Sequence, residues 1–154
     1  MLNIGVGNGW LEYKCRNQDW ETYALNPSEV PIRKLEKSGI SGKIGYIENI
    51  RYDDDLFDMV FCSEVIKYFS SEHINEAIKE IVRVLNKFGI LIGTIPCHEN
   101  LSESIVVCPD CGKIFHKWGH QQSLNIQNLP TFFSKRLKVE TIELIYFVPW
   151  SELN

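Results

Sequence analysis

The chain has 154 residues, 44% of them apolar and 23% charged, with a formal net charge of -4. That composition excludes global disorder and suits one domain that buries about two thirds of its surface without disulfide staples. The acidic balance argues against nucleic-acid binding by bulk charge and against a polybasic membrane anchor. No apolar run approaches the ~20 residues of a membrane span. Met1 to Gly5 has neither a basic n-region nor an apolar h-region, so no signal peptide is expected and the expected compartment is the cytoplasm.

Leu2 to Val6 predicts a short strand that runs into glycines, and Trp10 to Cys15 a short helix. Thr22 to Leu25 predicts a second strand, ended by Asn26-Pro27-Ser28. Ser28 is a fair N-cap for a helix to about Lys37, with Pro31 in its first turn. Lys43 to Ile47 reads as a third strand, Asp53 to Asp55 as an acidic turn, and Phe57 to Cys62 as a buried strand. Ser71 is expected to cap the clearest helix. Its Ile74, Ala77, Ile78, Ile81, Val84 and Leu85 recur at three- and four-residue steps and share one face. Gly89 is expected to close that helix, before a buried strand from Ile90 to Ile95. Asn125 to Lys135 suggests a helix interrupted at Pro130, and Lys138 to Val148 a last strand.

Strand and helix in alternation predict an α/β fold: an open, mostly parallel, Rossmann-like sheet with helices on both faces. Residues 1–154 read as one domain, with residues 97–123 as a Cys/His-rich insertion.

The run Asn3-Ile4-Gly5-Val6-Gly7-Asn8-Gly9 closes the first strand. Glycines there allow a sharp turn and close approach of a ligand, at the strand ends where such sheets bind nucleotides. The dinucleotide fingerprint Gly-x-Gly-x-x-Gly is not met, because the third glycine comes one residue early and Trp10 takes its place. A nicotinamide dehydrogenase is disfavoured on that ground. The spacing Gly-x-Gly-x-Gly resembles the first motif of class I S-adenosylmethionine-dependent methyltransferases, of the type 11-like group. Three more stretches resemble the same family in the same order. They are Tyr23-Ala24-Leu25-Asn26, then Phe57-Asp58-Met59-Val60 with Glu64-Val65-Ile66-Lys67-Tyr68, then Arg83-Val84-Leu85-Asn86-Lys87-Phe88-Gly89-Ile90-Leu91.

The resemblance implies S-adenosyl-L-methionine as cofactor, held by Asn3, Gly5, Gly7, Gly9, Asn26, Glu48 and Asn49. The chain departs from the family at two of these. Asn3 stands where an acid is usual, and Asn26 where an acid usually binds the ribose. A neutral amide forgoes the charge-assisted bond, which is roughly twice as strong as a neutral one. Glu48 also reads simply as a solvated carboxylate. The first residues fall at the first strand, without the helix that usually precedes it, and the end looks one strand short.

A second informative stretch is Cys108-x2-Cys111-x4-His116-x3-His120. Two thiolates and two imidazoles are a common tetrahedral Zn²⁺ set, and four protein ligands make such a site structural. The alternative is a metal-free loop whose histidines serve the active site. Phe115 and Trp118 read as packing around the cluster, Cys15 and Cys62 as buried, and His73 as surface.

Acceptor-side candidates lie where the fourth and fifth strands end: Glu64, Tyr68 and His98, with His116 and His120 from the loop. The expected function is methyl transfer to an unidentified acceptor, a small molecule or glycan-type substrate, with nucleic acid disfavoured. The alternative is a non-catalytic protein of the same fold that acts as a zinc-containing interaction module. A missing strand would leave an edge that a second subunit can cover, which makes a homodimer an option.

Overall fold

The structure is a computed structural model and describes residues 1–145. Five strands form one sheet: β1 (Leu2–Ile4), β2 (Tyr23–Asn26), β3 (Ser41–Ile44), β4 (Phe57–Ser63) and β5 (Leu85–Thr94), in the order β3-β2-β1-β4-β5. Every pairing is parallel. The chain lays down β2 and β3 on one side of β1, then crosses to put β4 on the other. Strand order therefore reverses between β1 and β4, where sheets of this kind open a crevice.

Alternation along β1 splits the core into two layers. Leu2 and Ile4 point to one face, where they meet Val60 and Cys62 of β4 and the apolar stripe of α3 (Ser71–Val84). Ile74, Ala77, Ile78, Ile81 and Val84 of that helix are all buried, worth roughly 1.5–3 kcal/mol for each large side chain. The other face is smaller. There Val6 and Ala24 pack on Ile32 and Leu35 of α2 (Glu29–Lys37). Asn3 faces α1 (Trp10–Arg16) on this side.

Several boundaries differ from the sequence expectation. Ser70, not Ser71, caps α3, and its hydroxyl accepts from the His73 amide at 3.4 Å. β3 begins at Ser41 and is over by Gly45, whose amide donates to Asn26 O at 3.1 Å. Gly89 is no helix cap. α3 passes directly into β5, because Leu85 already pairs with Phe57. Gly89 lies in the irregular stretch between the pairs Phe57↔Leu85 and Met59↔Ile90. A Cβ there would meet Phe57 O at 2.9 Å, so close backbone approach explains the glycine. β5 is also not the buried strand its apolar residues suggest. Among the described residues it is the sheet edge, and Ile90 and Ile92 stay 48% and 41% exposed.

Beyond β5, a short 3₁₀ turn (Leu101–Ser104) leads into an antiparallel hairpin, β6 (Ile105–Val107) with β7 (Ile114–His116). The expected helix at 125–135 is reduced to α4 (Leu129–Phe133), with Pro130 in its first turn. Residues 138–145 form no strand, and the rest of the strand expected to Val148 lies outside the described residues. No helix among the described residues is long and apolar enough to cross a membrane.

Candidate functional site

The glycine loop leaves β1 at the reversal point. Gly5, Gly7 and Gly9 all have positive φ, at 83°, 57° and 85°, which other residues rarely adopt. Each answers a different demand. A Cβ on Gly5 would meet Val65 Cγ2 at 2.6 Å, so the segment after β4 packs straight onto the loop. A Cβ on Gly9 would press on Leu35 and Tyr13 at 3.2 Å. A Cβ on Gly7 would meet nothing within 4 Å, so it faces open space. The loop is anchored below by the Gly5 amide, which donates to Leu25 O at 3.0 Å.

Asn3 does not face that space. Its Nδ2 donates to Glu12 Oε1 at 2.7 Å inside the core, and both side chains are buried. Burial pushes the Glu12 carboxyl above the usual carboxylate range, against the opposing pull of the Asn3 bond. Glu12 Oε2 has no hydrogen-bond partner among the described residues. The acid expected at position 3 is thus present one helix away, at position 12, and the amide stands opposite it. Sequence reading missed Glu12, although its place in the first turn of α1 was a signal.

Asn26 closes β2 beside the loop. Its Oδ1 accepts from the Val6 amide and its Nδ2 donates to Ser28 O, both at 3.3 Å. After β3, residues 45–49 turn back, with the Asn49 amide donating to Tyr46 O at 3.1 Å. Asn49 is exposed. Glu48 is half-buried, and its Oε2 is buried without a hydrogen-bond partner among the described residues. Such an oxygen costs about 1–3 kcal/mol unless a ligand satisfies it.

On the β4 side, Glu64 holds a left-handed φ of 61°. A non-glycine residue pays of order 1–2 kcal/mol for this. Three bonds hold it: its amide donates to Thr94 O at 2.8 Å, and its carboxylate accepts from Lys67 Nζ at 2.7 Å and Thr94 Oγ1 at 3.0 Å. His98 follows β5, exposed and also left-handed at 58°, with its amide on Leu124 O at 2.9 Å. Tyr68 lies in the 3₁₀ turn Ile66–Tyr68 that follows β4, half exposed.

The insertion is strapped over this turn. The Gln121 amide donates to Lys67 O, Gln121 Nε2 to Tyr68 O and Gln122 Nε2 to Phe69 O, each at 2.8 Å. These bonds bring the histidines against the turn that carries Tyr68. His120 Nδ1 lies 2.7 Å from both oxygens of Glu99. Its ring stacks on His116 at 4.9 Å and meets Tyr68 edge-on at 5.3 Å. His116 Nδ1 accepts from the amides of Trp118 and His120, at 3.3 and 3.1 Å. Its buried Nε2 stands 3.8 Å from Glu99 Oε1. Glu99, His116 and His120 form one cluster of potential ligand atoms within 4.8 Å. Glu99 went unnoticed in the sequence because nothing in the spacing ties it to residues 17 and 21 positions away.

The four-ligand Zn²⁺ set is divided by this geometry. Register pairs Ile105 with His116 and Val107 with Ile114, which puts Cys108 and Cys111 at the closed end of the hairpin and His116 at the open end. The separation is roughly 10 Å, three residues of strand. Both imidazoles already have partners at that far end.

The chain matches the family model described as "Methyltransferase domain" over residues 2–93. No curated protein matches it in sequence. Among solved structures it resembles an S-adenosylmethionine-dependent methyltransferase of Methanosarcina mazei (TM-score 0.70, 14% identity, 87% of this chain and 76% of that one). It also resembles one of Clostridium acetobutylicum (TM-score 0.66, 15% identity, 86% and 70%). A four-plus-two cyclase is equally similar (TM-score 0.66, 19% identity, 88% and 48%). At these identities the likeness shows the fold alone.

Proposed function

Because this chain belongs to the methyltransferase domain family, in its class I form, we propose that it transfers a methyl group from S-adenosyl-L-methionine to a small-molecule or glycan-type acceptor. The observation that carries this reading is the glycine loop at the reversal point, with Gly7 open to space. The unpartnered Glu48 oxygen, in the turn after β3, fits a ligand that brings hydrogen-bond donors. Gly5, Gly7, Gly9, Asn26, Glu48 and Asn49 would hold the cofactor. Asn3 supports the loop from below through Glu12 rather than touching the ligand.

The cofactor supplies a sulfonium-activated methyl group, so the protein's share is orientation and proton removal. Glu64, fixed by Lys67 and Thr94, sets the wall between cofactor and acceptor. Tyr68 and His98 border the acceptor side. Glu99 accepts a hydrogen bond from the Nδ1–H of His120, the tautomer that leaves Nε2 of that ring as a proton acceptor. A hydroxyl acceptor then gives its proton to His120, with the ring held as the triad carboxylate holds its histidine. A cytoplasmic location fits five cysteines whose odd number and irregular spacing are unlike a secreted disulfide framework.

A calorimetric titration with S-adenosylhomocysteine tests the reading, with NAD as the control. Micromolar or tighter binding of the first, and none of the second, is expected. A folded chain that binds neither up to millimolar ligand overturns it. That outcome favours a non-catalytic protein of this fold, a reading supported by the engagement of both Asn3 and Asn26 amides within the chain. The likeness to a cyclase shows that the fold hosts more than one chemistry.

A further inference from the structure

The cysteine pair is left over once the histidines are placed. Cys108-Pro-Asp-Cys111-Gly closes the β6–β7 hairpin. The Cys108 amide donates to Lys113 O at 2.8 Å, and the Gly112 amide returns to Cys108 O at 2.9 Å. Gly112 makes the reversal with a φ of 69°. Both thiols are thereby held on one turn, half-buried or exposed.

A tetrahedral Zn²⁺ site needs four ligands, and the turn offers two. The cluster of three potential ligands found among the described residues, Glu99, His116 and His120, sits at the other end of the hairpin and includes no cysteine. The hairpin face next to the turn is also unlike a finished surface. Val107 lies opposite Ile114, and Ile105 follows on the same face. These three are 61%, 66% and 47% exposed. An apolar strip beside half a ligand set is self-complementary under a two-fold axis. The axis doubles the thiols to four and lays one strip on the other.

We propose that Cys108 and Cys111 are one half of a four-thiolate zinc site, completed by the same two residues of a second copy of this chain. The metal then joins two copies through their hairpins, and leaves His116, His120 and Glu99 to the acceptor side. Cysteine supplies all four ligands, so the site is closed and structural.

The test uses the full chain, freed of metal and titrated with Zn²⁺ alone. Zinc content is assayed and mass in solution is followed by sedimentation. One zinc per two chains is expected, with a dimer that reverts to monomer on chelation. Cobalt substitution should give thiolate charge-transfer bands. Cys111→Ser should lose both metal and dimer while keeping its thermal transition, and His116→Gln should keep both. The proposal is overturned by one zinc per chain in a monomer, by metal loss in His116→Gln, by a dimer indifferent to zinc, or by no zinc bound. None of these outcomes bears on S-adenosylhomocysteine binding, so the two readings fail separately.

Discussion

Restoring the family's acid at position 3 should harm this protein. In Asn3→Asp, two carboxylates would face each other at the 2.7 Å now spanned by the Asn3–Glu12 bond, with both side chains buried. At an effective dielectric of 20 their repulsion is about 6 kcal/mol. Retaining one proton costs less: about 1.36 kcal/mol per pH unit above the unfolded values near 4, or about 4 kcal/mol at pH 7. The pair would therefore share a proton, and the short bond it forms offsets about 1.5–3 kcal/mol. A net loss of about 1–2.5 kcal/mol at pH 7 follows. The sign with pH is set by that proton. The folded variant holds it where the unfolded chain has released it, so the deficit is absent near pH 4 and grows as pH rises. Urea unfolding at pH 4.5, 6 and 7.5 measures it. Adding Glu12→Gln restores a carboxylate–amide pair with the roles exchanged, so the double variant should recover at least about 1 kcal/mol. An Asn3→Asp variant as stable as the parent at pH 7.5, a deficit independent of pH, or strict additivity would refute the swapped-pair account.

Other consequences can be measured alongside. Arg83 donates to Glu80, Asp54 and the carbonyls of Ile50 and Tyr52, joining α3 to the loop before β4. Arg83→Ala should cost about 2–4 kcal/mol in chemical unfolding. Arg83 also holds the Glu80 carboxyl below its usual range. Its contribution is therefore present above the unfolded value and is lost as pH falls through the lower folded one. Chemical unfolding of the parent and of Arg83→Ala should converge at acid pH. Burial pushes the Cys62 thiol up to about 12, and Cys15 is also buried. A thiol reagent at pH 8 should label Cys97, Cys108 and Cys111 quickly in metal-free protein, and the other two only on unfolding. Once an acceptor is in hand, His120→Gln should lower turnover by about 10²–10⁴ while S-adenosylhomocysteine affinity stays put. A matching loss of affinity would move His120 out of the proton-acceptor role.

The sheet was legible because its strands carry apolar runs and its helix α3 a clean stripe, signals that depend only on nearby residues. Gly89 misled because a glycine after a helix has two physical uses, and close approach to Phe57 O outcompeted the cap. β5 misled because its isoleucines fit a strand buried on both faces, while burial depends on what lies beyond the edge. At the site, the glycine loop was readable as a motif. The pairing of Asn3 with Glu12 was not, because it depends on which face of α1 turns inward. The Cys/His spacing suited one zinc site until hairpin register, which spacing alone does not encode, sent thiols and imidazoles to opposite ends.

Cofactor is expected to bind at the reversal point between β1 and β4. Amide chemical-shift mapping of labelled protein during titration with S-adenosylhomocysteine tests it most directly. A rival cleft lies along β5, lined by Phe88 to Ile95 and by residues 136–142. The largest shifts are expected at Gly5, Gly7, Gly9, Asn26, Glu48 and Asn49, with their disappearance in Gly7→Ala. Shifts confined to the β5 cleft, or a Gly7→Ala chain that binds as well as the parent, would contradict it.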